Sequence, residues 1–410
     1  MSLAESQTAE IVTIRRKVST TRYGKSILAA MMVGFLLRVG VAIWNGFFGP
    51  SFGAEADAST FHNKAVDFGA GLSPFTFGIG DIFYYYLGSI YYLTTDSLFI
   101  GSLLSCLVWL SSAVILVKIM RVLFFSNTNQ FRVMLIYALL PSAILFTSVT
   151  LREPYQLLFV NLAILSVLKI ILHKSFKHWL LLLFAVVGAG VLHATLFAFG
   201  VFIISAALFL IILPENKKIP IFKIMIIVPI AVVVLFLGTL SLTNITQYQL
   251  DQGLTKAIEI YQMGGLLYLD EARAFYKTSV EIDGITGLVT FIPVSLFQYL
   301  FEPMPWRIST IADIVLFLEN FLRAWLIWKA WVGLRNIPAN HSSPILFIFF
   351  SYLVIETIWS LGTINWGTAV RHHIPGMGML LLAGFAYAKL QSTKKRRHQF
   401  SWLKKNNKIH

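Results

Sequence analysis

Apolar runs of about twenty residues recur along most of the chain, and several of the segments between them are rich in lysine and arginine. A helix of about twenty apolar residues is long enough to cross the hydrocarbon core of a bilayer. Of the 410 residues, 57% are hydrophobic and only 13% are charged, and the mean hydropathy is +0.73. This composition excludes a soluble domain and predicts an all-α polytopic membrane protein.

The apolar runs predict about ten transmembrane helices. Predicted spans cover residues 27–46, 97–121, 132–148, 154–172, 219–242, 309–332, 344–361 and 374–390, with two more in 178–213 that meet near His193. The run 75–94 is also apolar, but it carries Asp81 and five tyrosines, which is typical of the membrane interface. We therefore interpret it as an interfacial helix, and we interpret the short run 285–301 as interfacial or re-entrant.

The basic residues predict which way the chain faces, because loops rich in lysine and arginine stay in the cytoplasm. Residues 1–26 and 391–410 are then basic cytoplasmic ends, and 27–390 is a single transmembrane unit with outer loops 47–96 and 243–308. Only seven of the 33 basic residues fall on the outer side: Lys64, Arg152, Lys256, Arg273, Lys277, Arg307 and Arg371. The net charge of +14 is thus an orientation signal and a contact for anionic lipids, which argues against a nucleic-acid partner.

Segment 53–69 is the longest early departure from the apolar pattern. As a helix between its two glycines, it would turn Asp57 towards the protein, because side chains three and four apart share a face. The other members of that face are Phe61, Lys64, Ala65 and Phe68, whereas Glu55 points elsewhere with Ser59 and His62. An alternative interpretation is an amphipathic loop helix in which Asp57 pairs with Lys64.

Ionisable side chains gather at the predicted outer ends of the spans. They are Glu55, Asp57, Arg152, Glu153, His193, Arg307, Arg371, His372 and His373. Arginine binds phosphate oxygens bidentately, and the N-terminus of a helix favours an anion. A carboxylate beside such a phosphate site can act as a general base. The set therefore suits displacement of a phosphate leaving group by a hydroxyl or an amine.

Each of these residues also has a structural interpretation. Arg152 could pair with its neighbour Glu153, the basic group 371–373 could anchor lipid head groups, and His193 is more simply a packed, hydrogen-bonded histidine. The histidines and carboxylates could instead bind a divalent metal, but the chain contains no HxxxH or HExxH spacing, so this signal is weak.

Four charged residues lie well away from the ends of the predicted spans. Glu319 and Arg323 are four residues apart, so we expect them to neutralise each other. Arg38 and Glu356 must face the interior, where they would pair or line a cavity.

Four short motifs resemble the GT-C superfamily of membrane glycosyltransferases, the group that contains the family 39 mannosyl- and aminoarabinose-type transferases. They are Glu55-Ala-Asp57 followed by Phe61 and Ala65, then Pro141-Ser142, Leu151-Arg-Glu-Pro154, and Thr368-Ala-Val-Arg-His-His-Ile-Pro375. Together with the interfacial helices they cover the layout of residues 27–390. The chain departs from the family in having Glu-Ala-Asp for the usual Asp-Glu doublet, an Arg before the second acid, and no soluble acceptor domain.

The resemblance implies an enzyme of the bacterial inner membrane whose active site faces the periplasm. Its donor would be a polyprenyl-phosphate-linked sugar, and its acceptor a glycan, a lipid or a protein. Asp57 or Glu55 would be the catalytic base or a metal ligand, supported by Glu153, and Asp57 with Glu153 could hold a divalent cation such as Mg or Mn. The lipid phosphate would be bound by Arg152, Arg371, His372 and His373. Further candidates for the site are Lys64, His193 and Arg307.

Two other functions stay open from the residues alone. An O-antigen polymerase or ligase acts on the same lipid carriers and depends on outer-face arginines and histidines rather than on an essential acid. A flippase or transporter of lipid-linked sugars would need a path through the membrane, which the intramembrane charges could line.

Overall fold

The computed structural model describes residues 3–49, 54–76, 78, 80–173, 176–212, 274–276, 284–336 and 339–386. Throughout these residues the regular structure is helical, apart from one isolated bridge between Phe275 and Asn365. The first nine helices are α1 (Leu3–Phe47), α2 (Glu55–Gly69), α3 (Ile82–Leu93), α4 (Leu98–Val122), α5 (Asn127–Leu139), α6 (Pro141–Phe146), α7 (Glu153–His173), α8 (Lys177–Leu192) and α9 (Ala194–Ile212). They are followed by α10 (Gly284–Phe301), a 3₁₀ turn at Pro305–Arg307, α11 (Ile311–Asn336), α12 (Ala339–Gly362), α13 (Trp366–His372) and α14 (Met377–Ala386).

Within the described residues, five helical segments are long and apolar enough to cross a membrane: Gly24–Phe47, Leu98–Val122, Glu153–Leu172, Ala194–Ile211 and Pro344–Gly362. Three shorter helical segments of the same part of the chain are also apolar: Lys177–Leu192, Thr290–Phe301 and Met377–Ala386. The chain is therefore a helical, membrane-embedded protein. The count of about ten spans and the outward orientation stay predictions. The predicted span 219–242, the tail 391–410 and most of the loop 243–308 lie outside the described residues.

The predicted division of 178–213 is confirmed in position, because α8 ends and α9 begins on either side of His193. His193 has an extended backbone (φ −162°, ψ 130°), which stops one helix and starts the next. The predicted helix over 75–94 is shorter than expected: α3 covers only its second half, and residues 75–76, 78 and 80–81 precede it as loop and turn. Gly80 has φ +91° and donates its N–H to the Val191 carbonyl, so this loop lies on the end of α8.

The predicted span 132–148 is interrupted in the structure, where α5 and α6 meet at Leu140 and Pro141. Proline has no N–H to continue the helix and forces the preceding residue into an extended conformation. Two hydrogen bonds from distant helices stabilise the interruption. Arg38 Nη1 donates to the Ala138 carbonyl at 2.8 Å, and Ser142 N donates to Glu319 Oε1 at 2.9 Å.

Glu319 and Arg323 do not form the expected ion pair. The carboxylate of Glu319 accepts from both the backbone and the hydroxyl of Ser142 rather than pairing with Arg323. Arg323 instead donates to the Leu300 carbonyl at 2.6 Å and to Asn320. Buried polar groups take whichever partner the packing brings within reach, and here a broken helix and a carbonyl are closer than the opposite charge.

Arg38 does not pair with Glu356 either. Its guanidinium lies 3.6 Å from the centroid of the Trp109 ring, and its Nε donates to Thr147 Oγ1 at 2.7 Å. Glu356 contacts His373. The first span is thus tied to the broken helix by an arginine that has no carboxylate partner among the described residues.

Candidate active site

Arg371, in the last turn of α13, joins two carboxylates that lie far apart in the sequence. Its Nε and Nη2 donate to Glu153 Oε1 at 2.9 and 2.7 Å, and its Nη1 donates to Asp57 Oδ2. The Glu153 side chain is buried, whereas the Asp57 side chain is 52% exposed. Burial lowers the pKa of Arg371, but the two carboxylates outweigh this effect and raise its pKa above the usual value. The guanidinium is therefore permanently charged and holds both acids.

The two acids come from the starts of two helices. Glu153 opens α7, with Pro154 behind it, and Asp57 lies in the first turn of α2. Proline is favoured in a first helical turn, and negative side chains are stabilised there by the helix dipole. Ala58 and Ala65, both fully buried, let α2 lie close against the rest of the protein, which brings Asp57 to Arg371.

Arg152 lies beside this cluster, but it has no carboxylate within ion-pair distance among the described residues. Its Nη1 donates to the Leu192 carbonyl at 3.0 Å, and its guanidinium lies 4.7 Å from the centroid of the Phe61 ring. Burial lowers the pKa of Arg152, and the nearby Glu153 charge partly offsets this. A guanidinium held by a carbonyl and a ring keeps its positive charge available for an anion.

Two buried polar atoms of this cluster have no hydrogen-bond partner among the described residues: Arg152 Nε and Glu153 Oε2. Buried polar atoms are almost always paired, so unpaired ones point to bound water or a ligand. Nε of Arg152 is a donor on a charged guanidinium that lacks a carboxylate partner in the described part of the chain, so it is suited to an anionic oxygen.

The loop before α3 comes close to the end of the Arg152 side chain. A Cβ at Gly80 would lie 2.7 Å from Arg152 Nη1, and the backbone there has a positive φ that favours glycine. Only glycine therefore fits at this point of the loop without moving the guanidinium.

His193 and His372 lie on the other side of the cluster, against Trp359. The His372 ring stacks on the indole at 3.7 Å between centroids, and the His193 ring lies 4.3 Å from it. Burial lowers the pKa of both histidines well below the usual value; the charges of Arg152 and Arg371 act in the same direction. Both rings are therefore neutral at pH 7. His193 is packed and hydrogen-bonded, in agreement with its structural interpretation.

Not every expected residue joins the cluster. His373 points away from it, because its Nδ1 contacts Glu356 Oε2 and its Nε2 faces the Tyr299 carbonyl at 3.2 Å. Arg307 contacts Glu302 at 3.7 Å and the Phe275 carbonyl at 3.2 Å. The Lys64 ammonium lies 5.6 Å from the centroid of the Tyr84 ring, so it does not pair with Asp57 as the alternative interpretation proposed. Glu55 begins α2, and its side chain lies outside the described part of the structure.

The two expected metal ligands do not fit a divalent cation in this arrangement. Asp57 and Glu153 both bind the guanidinium of Arg371, which occupies the space between them. Within the described residues, no group of three or more His, Cys, Asp or Glu side chains could hold a metal ion. Mg and Mn need several oxygen ligands around one point, which these two side chains do not supply in this arrangement.

Trp359 and Thr363 were missed by the sequence analysis. Trp359 packs against both histidines, and Thr363 contacts His372 Nδ1 at 3.2 Å. Their spacing of four residues, just before the Asn365 cap of α13, was the available signal, because such residues share one helix face. The sequence offered no sign that this face would meet His193.

Comparison with protein-family models, with curated proteins and with solved structures found no match to this chain. The resemblance to GT-C transferases therefore stays a prediction.

Proposed function

We propose that this protein is a membrane glycosyltransferase that moves a sugar from a polyprenyl-phosphate-linked donor to an outer-face glycan, lipid or protein acceptor. The observation that carries the proposal is the pairing of charges at the cluster. Arg371 is neutralised by Asp57 and Glu153, whereas the neighbouring Arg152 has no carboxylate partner among the described residues.

The position of Arg152 favours a lipid phosphate over a soluble one. Arg152 directly precedes the apolar segment Glu153–Leu172, which is long enough to span a membrane. The end of a span is where lipid phosphates lie. Arg152 at such an end can therefore reach the phosphate of a lipid whose tail stays among apolar helices, and its fork geometry matches phosphate oxygens.

Asp57 is the acid best placed to act as the base. Its side chain is half-exposed, whereas Glu153 is buried and accepts two hydrogen bonds from Arg371 on one oxygen. In the proposed reaction the acceptor oxygen attacks the anomeric carbon of the sugar and gives its proton to Asp57. The bond from that carbon to the phosphate oxygen breaks, and the configuration of the anomeric carbon is inverted. The electron pair stays on the lipid phosphate, whose charge Arg152 stabilises.

Reconstituted vesicles test this proposal. The protein is given a fluorescent polyprenyl-phosphate hexose and a panel of saccharide acceptors outside the vesicles, and products are identified by mass spectrometry. A single sugar joined to the acceptor supports the transferase. Movement of the lipid across the bilayer without a covalent product would indicate a flippase, and a ladder of repeat units would indicate a polymerase.

A matched pair of variants tests the role of Arg152 through binding alone. With farnesyl phosphate as the probe, Arg152→Met should weaken binding by about tenfold or more, the value of a lost charge-assisted hydrogen bond. Arg307→Met removes an arginine that lies away from the cluster and should leave binding unchanged. Equal binding by the Arg152→Met protein and the unmodified protein would reject Arg152 as the phosphate residue.

A further inference from the structure

The hydrogen bonds around His372 identify which ring nitrogen carries its proton. The Thr363 hydroxyl donates to the Trp359 carbonyl at 2.8 Å, so its oxygen is left to accept. Nδ1 of His372 lies 3.2 Å from this oxygen, and a proton on Nδ1 of the neutral ring makes this contact a hydrogen bond to Thr363. Nε2 of His372 is then an acceptor with a free lone pair.

His193 carries its proton on the opposite nitrogen. The Thr195 backbone N–H donates to His193 Nδ1 at 3.2 Å, so Nδ1 is the acceptor of this neutral ring. The proton is on Nε2, which is a donor.

The two histidines therefore present opposite hydrogen-bonding groups close together. Their ring centroids are 5.9 Å apart in an edge-to-face arrangement, and both rings pack on the indole of Trp359. No described residue hydrogen-bonds to either Nε2. Arg152 is close to this pair of rings, because its Nη1 donates to the carbonyl of Leu192, the residue before His193, and its charge acts on both histidines.

We propose that His193 and His372 form a subsite for one hydroxyl group of the donor sugar. His193 Nε2–H donates to the hydroxyl oxygen, and the hydroxyl donates its own proton to His372 Nε2. The identification of the ligand as the donor sugar rests on the proposed function. The assignment of the two protons rests only on the hydrogen bonds to Thr195 and Thr363.

This chemistry separates a hydroxyl from a phosphate. An ionised phosphate oxygen has no proton to give to the lone pair of His372 Nε2, and its charge would face that lone pair. A hydroxyl has one proton to give and lone pairs to accept, so it satisfies both rings at once. In this proposal His372 binds the sugar, whereas the sequence analysis predicted that it binds the phosphate.

Nitrogen-15 NMR of the full-length protein in nanodiscs, with labelled histidine, tests the proton assignment without any substrate. The signals of the two rings are identified by their loss in His193→Gln and His372→Gln. We expect a protonated Nδ1 in His372 and a protonated Nε2 in His193. Thr363→Val should disturb the His372 signals. Thr357→Val should not, although Thr357 makes the same back-bond on the same helix, to the Leu353 carbonyl. A protonated Nε2 in His372 would overturn the proposal.

Binding of two probes tests the hydroxyl subsite. Farnesyl phosphate and farnesyl phosphate-linked hexoses share the phosphate, so the ratio of their dissociation constants isolates the sugar. We expect at least one hexose to bind more tightly than the free phosphate. His372→Phe keeps the stacked ring but should reduce this preference on the order of tenfold. His372→Gln, whose amide oxygen can accept, should retain part of it. If the His372→Phe protein does not fold, Thr363→Val replaces it in this test, because it removes the partner of His372 Nδ1.

The outcomes separate the two proposals. If neither probe binds, the proposed function fails. If both probes bind but the preference is absent, or survives in His372→Phe and Thr363→Val, the hydroxyl subsite is wrong while the proposed phosphate site stands.

Discussion

Nε and Nη2 of Arg371 donate to one and the same oxygen of Glu153, at 2.9 and 2.7 Å, across 218 residues of sequence. The other oxygen, Oε2, is buried and has no hydrogen-bond partner among the residues that the structure describes. Arg371 turns its remaining terminal nitrogen to Asp57. The guanidinium thus fixes the start of α7 to the start of α2, so one side chain sets the position of both acids in the proposed active site.

Removal of Glu153 tests how strongly this pair contributes to folding. Glu153→Ala leaves a buried guanidinium with only the half-exposed Asp57, and we expect it to lower the free energy of unfolding by about 3 kcal/mol. The thermal midpoint in detergent measures the change. The double variant Glu153→Leu with Arg371→Met removes both charges and should recover part of the loss. A double variant less stable than Glu153→Ala would show that the pair contributes little.

Asp57→Asn separates chemistry from structure. Its amide oxygen can still accept from Arg371, so the thermal midpoint should change little, but the base is lost. We expect the transfer rate to fall by about 100-fold or more, the usual contribution of a general base. Asp67→Asn changes an exposed acid on the same helix and should keep full activity. Near-normal transfer by the Asp57→Asn protein would remove Asp57 from the mechanism.

Gly80→Ala tests the position of Arg152 without changing any charge. The added Cβ would lie 2.7 Å from Arg152 Nη1, so the guanidinium must move. Gly71→Ala is the matched control, because Gly71 also has a positive φ (+73°) but nothing lies within 4 Å of the added atom. Both variants should lose about 1 kcal/mol of stability from backbone strain. Only Gly80→Ala should also weaken binding of farnesyl phosphate. Equal binding by the two alanine variants would contradict the contact.

The lowered pKa values of His193 and His372 predict that the protein becomes less stable in acid. An unfolded histidine binds a proton near pH 6.5, whereas burial keeps these two neutral well below that value. As the pH falls through about 6.5, the unfolded chain binds more protons than the folded one, so the free energy of unfolding decreases. The thermal midpoint should therefore fall from pH 8 to pH 5. Each of His193→Gln and His372→Gln should flatten this dependence relative to its own value at pH 8. A slope unchanged in both variants would show that other groups cause it.

The long apolar helices could be predicted from sequence because an uninterrupted apolar run has few other structures available in a membrane. The meeting of Asp57, Glu153 and Arg371 followed from placing their segments on one side. The placement of His373 beside Arg371 was wrong for a reason that the sequence already contained. Successive residues of a helix turn by about 100°, so 371, 372 and 373 cannot all face one site.

Partner choice inside the protein could not be predicted in the same way. Spacing suggested that Glu319 would bind Arg323. The helix break at Pro141, however, leaves the Ala138 carbonyl and the Ser142 N–H without their helical hydrogen bond. The Ala138 carbonyl accepts from Arg38, and the Ser142 N–H donates to Glu319. The two contacts depend on how three separate helices pack, and no local pattern encodes that packing.

The Glu319–Ser142 contact gives a direct test of this explanation. Glu319→Ala leaves the Ser142 N–H and hydroxyl without an acceptor in a buried environment, and we expect it to cost about 2 kcal/mol. Glu319→Gln keeps an accepting oxygen and should cost less. Double-mutant cycles on the thermal stability then measure which partner matters. Glu319→Ala should couple with Ser142→Ala by about 0.5 kcal/mol or more, and more strongly than with Arg323→Ala. Stronger coupling to Arg323 would support the ion pair that the four-residue spacing suggested. It would mean that Glu319 stabilises its own helix, α11, more than it stabilises the break between α5 and α6.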